Sequence, residues 1–147
     1  MNKYLPFLPL ILGTVSGLLV KDSYKDYSDL KKPSWSPPSW IFGPVWIVLY
    51  ILMGVSLYWI LQQKNNTIQL VIFFISLLAN ILWTPIFFGL KDRKLAFKLI
   101  LFIDFMVILK IISFWNISRK AALLNIPLLA WCVFATFLNA EINKLNN

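Results

Sequence analysis

WIFGPVWIVLYILMGVSLYWIL, Trp40–Leu61, decides the fold. It runs through 22 residues without one charge, and about 20 predominantly apolar residues cover the roughly 30 Å of a bilayer's hydrocarbon. Four further apolar stretches lie around it: about Leu5–Val20, Ile68–Phe88, Leu95–Trp115 and Ala121–Ile142. None alternates with period two, which argues against a lipid-embedded β-barrel. The fold expected is all-α, a polytopic membrane protein in which five transmembrane helices form one bundle and 1–147 form one domain.

The whole chain agrees with that stretch. Of its 147 residues 59% are hydrophobic and 14% charged, and the mean hydropathy is +0.73. Soluble domains are about 45–50% apolar and about 25% charged, and a small core cannot hide such an excess. The formal net charge is +8, but the basic residues sit mostly between apolar runs, where phospholipid head groups account for them. Nucleic-acid binding is therefore not expected. There is no histidine, and Cys132 is the single cysteine. Zinc, imidazole-ligated haem and Ser-His-Asp chemistry are excluded, and neither metal ligands nor catalytic residues are expected. The first apolar run, lacking a small-residue cleavage site, is expected to stay in the protein.

The connections carry the topology. Lys21–Ser39 is the long one, with seven charges, Tyr27, Trp35, and the stiff KKPSWSPPSW in which three prolines fix φ. It reads equally as a lid over the bundle end or as an interfacial anchor. Lys and Arg divide eight to four between the two sides: Lys21, Lys25, Lys31, Lys32, Lys91, Arg93, Lys94 and Lys144 against Lys3, Lys64, Arg119 and Lys120. The positive-inside rule then places the first loop and the C-terminus in the cytoplasm and the N-terminus outside.

Three helical stripes mix aromatic, polar and small residues: Trp46, Tyr50, Met53 and Gly54; Asn80, Trp83, Thr84 and Phe87; Trp131, Ala135, Leu138 and Asn139. Such stripes suit a pocket for a flat apolar ligand, and they equally suit plain helix packing. Asp104 falls mid-span, where a carboxyl needs a polar partner inside the bundle. Asn80, Asn125, Asn139 and Lys110 are the candidates. Lys98 and Lys110 are expected to snorkel to opposite head-group layers.

KPSWSPPSWIFGPVWIVLYILMG (Lys32–Gly54), LANILWTPIFFGL (Leu78–Leu90) and LLAWCVFATFLN (Leu128–Asn139) together resemble the tryptophan-rich sensory protein and translocator protein family, TspO/MBR. The resemblance implies a five-helix bundle, commonly a homodimer in a bacterial inner membrane, with a pocket covered by the first loop. It implies a porphyrin such as protoporphyrin IX as ligand rather than as cofactor. By family position the ligand-binding set is Tyr27, Trp46, Tyr50, Asn80, Trp83, Phe87, Trp131 and Ala135, with Asp104 as a further polar contact inside the membrane. The function implied is a sensor or carrier of tetrapyrroles. Light- and oxygen-dependent porphyrin modification is an alternative, and a structural or ion-coupled bundle without porphyrin is another. Sterol-binding members carry an aromatic pair where this chain has Ala140 and Glu141, so tight cholesterol binding is not expected.

Overall fold

The computed structural model describes residues 3–146, and among them every regular element is helical. A 3₁₀ turn, Leu5–Phe7, leads into α1, Leu8–Leu19; α2, Tyr24–Ser28, lies in the long loop; another 3₁₀ turn, Ser39–Ile41, opens α3, Phe42–Leu61. Then come α4, Thr67–Thr84, extended by a π turn at Pro85–Gly89, α5, Arg93–Trp115, the short α6, Arg119–Leu123, and α7, Ile126–Asn146. Three segments are long and apolar enough to cross a membrane: Ser39–Leu61, Thr67–Gly89 and Arg119–Asn146. Leu5–Leu19 with Lys21–Ser28, bent by 52°, would be a fourth. Arg93–Trp115 is 23 residues long, but Lys98, Asp104 and Lys110 interrupt its apolar character.

Beyond the 3₁₀ turns that open the first two expected spans, the third and fifth also depart from continuous α-helix, and proline is the reason both times. Pro85 has no N–H to bond the carbonyl of Ile81, and the helix widens there into its π turn. The freed Ile81 carbonyl accepts from the Ser16 hydroxyl of α1 at 2.8 Å. Pro127 lies in the first turn of α7, so the expected Ala121–Ile142 helix breaks between α6 and α7. There Asn125 N turns back to Ala122 O, and the Ala121 carbonyl takes bonds from Ser56 Oγ and Asn125 Nδ2, both at 2.8 Å. In hydrocarbon a loosened backbone group must find such a partner inside the protein.

α1 packs on α3, and α5 packs on both α4 and α7. At the α1–α3 seam a Cβ on Gly54 would lie 2.2 Å from the Pro6 carbonyl oxygen, and one on Gly13 would lie 2.2 Å from the Tyr50 ring. Glycine at those two places lets the segments approach. The first and third loops and the C-terminus meet at one end of the bundle. Lys91 Nζ bridges Asp26 at 2.8 Å, while Asn146 donates to Lys31 O at 2.8 Å and accepts from Lys31 N at 3.1 Å. This is the grouping that the loop charges require.

Lys110 departs from expectation. Its side chain does not snorkel. It is 0% exposed, its Nζ lies 5.3 Å from the Phe73 ring centre, and that nitrogen has no hydrogen-bond partner. Replacing a buried amine that lacks a hydrogen-bond partner among the described residues by an apolar chain of similar length removes an unsatisfied polar group, so Lys110→Met should raise stability by about 1–3 kcal/mol. Ser16→Ala, which strips the Ile81 carbonyl of its partner, should lower it by about 1–3 kcal/mol. Thermal unfolding of both variants in one detergent checks the pair of opposite signs.

Candidate functional site

The aromatic stripes converge near the end of the bundle where the long loop folds back. Trp46 of α3 is 6% exposed. It stacks on Tyr50 at 5.5 Å, lies 6.4 Å from Trp83 of α4, and meets Trp131 of α7 edge to face at 6.4 Å. Trp83 stacks on Phe87 at 4.8 Å and 20°. Phe42, one turn before Trp46, bridges Trp131 at 5.7 Å and Phe88 at 5.3 Å. Seven rings from three helical segments thereby form one contiguous patch, since aromatic pairs favour these offset and edge-to-face contacts.

The three indoles differ in their polar ends. Trp83 Nε1 donates to Asn139 Oδ1 at 3.3 Å, and Asn139 is held in turn by donating to Arg93 O at 2.9 Å. Trp46 Nε1 and Trp131 Nε1 are buried without a hydrogen-bond partner among the described residues. A buried N–H left unpaired costs about 1–3 kcal/mol. Two such donors lie in side chains that meet edge to face.

The long loop covers this cluster. Tyr27 is buried, meets Phe42 edge to face at 5.2 Å and lies 5.8 Å from Phe88. Its hydroxyl donates to Pro37 O at 3.1 Å, so the proline-fixed strand and the short α2 hold each other. Lys32 Nζ donates to Tyr27 O at 2.8 Å and lies 4.8 Å from the ring centre. Trp35 packs on Phe134 at 5.6 Å. The lid reading of the loop fits these contacts better than the anchor reading. Beside the lid lies a polar recess of about 270 Å³, lined by Lys91, Asp92, Arg93, Lys94, Ile142, Asn143 and Asn146.

Other expected residues stand at different removes. Ala135 is buried one turn beyond Trp131. Asn80 is buried one turn from Trp83, but its amide is engaged with Ser76 O at 2.8 Å and with Cys132 Sγ at 3.8 Å. Asp104 finds none of its four expected partners. Its Oδ2 pairs with Thr136 Oγ1, which also lies 2.7 Å from Cys132 O. Thr136 sits one turn beyond Cys132 on α7, a residue whose small hydroxyl gave no sequence signal. Trp46 and Trp131 meet at right angles rather than as parallel walls. A third ring needs those side chains to part or else lies against their outer faces. Asn139, on the expected α7 stripe, joins the cluster through Trp83, while Phe42 and Phe88 were not among the expected residues, although Phe42 precedes Trp46 by one helical turn.

Residues 6–145 match the sequence model of the TspO/MBR family. The Tryptophan-rich protein TspO of Chlorobaculum tepidum is 35% identical over 157 residues, covering 99% of each chain. That of Archaeoglobus fulgidus is 40% identical over 122 residues, 82% of this chain and 79% of its own. The human Translocator protein is 35% identical over 118 residues, 77% of this chain and 70% of its own.

Burial of the phenol pushes the Tyr27 pKa up to about 12. The folded protein favours the neutral phenol, so the stability it supplies is complete below about pH 10, the ordinary tyrosine value. That stability is lost as pH rises from there towards 12. A tyrosinate absorbance titration should show one late component, removed in Tyr27→Phe. A Tyr27→Phe titration superimposable on the wild type would place the late phenol elsewhere.

Proposed function

Because this chain belongs to the TspO/MBR family, we propose that it is a receptor or carrier of porphyrin-type tetrapyrroles that crosses the membrane five times. Arg93–Trp115 supplies the span with interior charges, and α1 the short span. The single observation that carries the ligand reading is the pair of buried, partnerless indole N–H groups of Trp46 and Trp131 inside one aromatic patch under a lid. A tetrapyrrole offers wide apolar faces for Trp46, Trp83, Trp131 and Phe42, and acceptor atoms for the two donors. Its carboxylates fit the recess of Lys91, Arg93 and Lys94, where they would keep a charged partner. Tyr27 closes the site, and Tyr50, Phe87, Asn80 and Ala135 shape its walls from the second layer. The protein acts as a homodimer in a bacterial inner membrane, with the lid and the C-terminus cytoplasmic. Ala140 and Glu141 in place of an aromatic pair argue against tight cholesterol binding.

Light- and oxygen-dependent modification of the bound tetrapyrrole is the second reading. The touching rings of Trp46, Tyr50, Trp83 and Trp131 favour it, because an excited macrocycle would lie against oxidisable side chains. A dark control separates it from binding alone.

Loss of one well-packed aromatic anchor costs about 2 kcal/mol or more, roughly a thirtyfold fall in affinity. Trp46→Leu and Trp131→Leu should each show that loss with protoporphyrin IX, followed by tryptophan quenching and by the porphyrin absorption band. Trp59→Phe, near the opposite end of α3, should bind as wild type. Wild-type affinity in both folded leucine variants would remove this site. For orientation, in a Cys132→Ala background, Ser28→Cys and Lys144→Cys should resist a membrane-impermeant thiol reagent in intact cells while Lys64→Cys reacts. The reverse pattern would invert the protein.

A further inference from the structure

A cleft of about 200 Å³ lies along the α1–α3 seam. Its rim is Thr14, Leu18, Gly43 and Ile47, all exposed on the outer surface of the bundle. Its inner lining includes Trp46, Tyr50 and Thr84, which are buried. One side of the Trp46 environment is therefore reached from the face that hydrocarbon covers, and not from under the lid.

Two glycines make this opening. A Cβ built on Gly17 or on Gly43 meets nothing within 4 Å. Neither residue has positive φ, so neither backbone conformation calls for glycine. Gly13, one turn before Gly17, is the contrast, since its missing Cβ is filled by the Tyr50 ring. A glycine inside a helix costs about 1 kcal/mol relative to alanine, and packing within this chain does not explain it at Gly17. The unpartnered Nε1 of Trp46, a side chain more than nine-tenths buried, is the independent sign that a ligand belongs here.

We propose that the α1–α3 cleft is a lateral opening through which bilayer-dissolved amphiphiles bearing a carbonyl or carboxylate acceptor reach Trp46. The volume admits one ring or a short run of chain and not a whole macrocycle. A lipid acyl chain with its ester carbonyl fills it at rest, and an edge of a flat ligand replaces that chain on entry. Gly17 and Gly43 lie within about one turn of the helix ends, the depth at which lipid esters sit. Only the ligand arm of this proposal rests on the tetrapyrrole reading.

The test uses full-length protein in vesicles whose phosphatidylcholine carries brominated acyl chains, which quench indoles on contact. The emission of Trp46 is the difference between wild type and Trp46→Phe. It should be strongly quenched by brominated lipid in the wild type and recover in Gly17→Leu/Gly43→Leu, whose added side chains occupy the open space. Absence of Trp46 quenching in the wild type overturns the opening, and needs no second variant to fold. Equal quenching with the cleft filled overturns it as well. In the second arm, protoporphyrin IX already partitioned into plain vesicles should associate about tenfold more slowly with the filled variant. An unchanged rate overturns the entry route. If wild type binds no porphyrin at all, the tetrapyrrole reading fails, while the brominated-lipid arm still decides the cleft.

Discussion

Hydrocarbon offers no hydrogen-bond partner to a polar atom, so a bundle in lipid must satisfy its own donors and acceptors or leave a visible debt. This chain satisfies nearly every one that its prolines and turns set loose. Ser16 answers the carbonyl that Pro85 frees, Ser56 and Asn125 answer the break before Pro127, and Asn139 and Asn143 both donate to Arg93 O. Among the described residues, the buried side-chain nitrogens left without a partner are those of Trp46, Trp131 and Lys110 and the Nε of Arg93, beside single oxygens of Gln69, Ser76, Asp104 and Asn125. The first two touch and lie in the aromatic patch. Lys110 is packed against Phe73, deeper in the bundle.

The end of the bundle that holds the patch is organised by the loop above it. Asp26 is drawn to Lys91, whose hydrogen bond and charge hold its carboxyl below the usual range. Lys31 is tied through Asn146 to the last turn of α7. Both contacts are exposed or half-exposed, where ion pairs contribute little. Tyr27, by contrast, is inserted among Phe42 and Phe88. The loop is anchored by the Tyr27 ring and by Trp35 on Phe134, with the Lys32 amine and the Tyr27 hydroxyl bonding within the loop itself.

Much of this was legible in the residues. An uncharged Trp40–Leu61 could be little else than a membrane helix, and the stripe Trp46, Tyr50, Met53, Gly54 is buried throughout. The loop charges grouped the first loop, the third loop and the C-terminus before any contact was known. What failed to show depends on rotation and contacts between helices. Asp104 could be placed mid-span, but Thr136 as its partner depends on how α5 turns against α7. Lys110 lay close enough to a helix end to suggest snorkelling, and only packing against α4 and α7 shows its amine turned inward. The touching of Trp46 and Trp131 at right angles, rather than as parallel walls, is likewise a matter of rotamer and not of spacing.

If a tetrapyrrole is the ligand, it supplies the acceptor that the indole N–H groups of Trp46 and Trp131 lack. The direct measurement is the ¹H–¹⁵N indole spectrum of the tryptophan-labelled protein in a detergent that carries no ester or carboxyl group, with and without one equivalent of protoporphyrin IX. The Trp46 and Trp131 signals should move downfield as hydrogen bonds form, whereas Trp83, already bonded to Asn139, and Trp59 should keep their hydrogen-bonding state. Bound porphyrin with the Trp46 and Trp131 indole protons still unbonded would contradict the account.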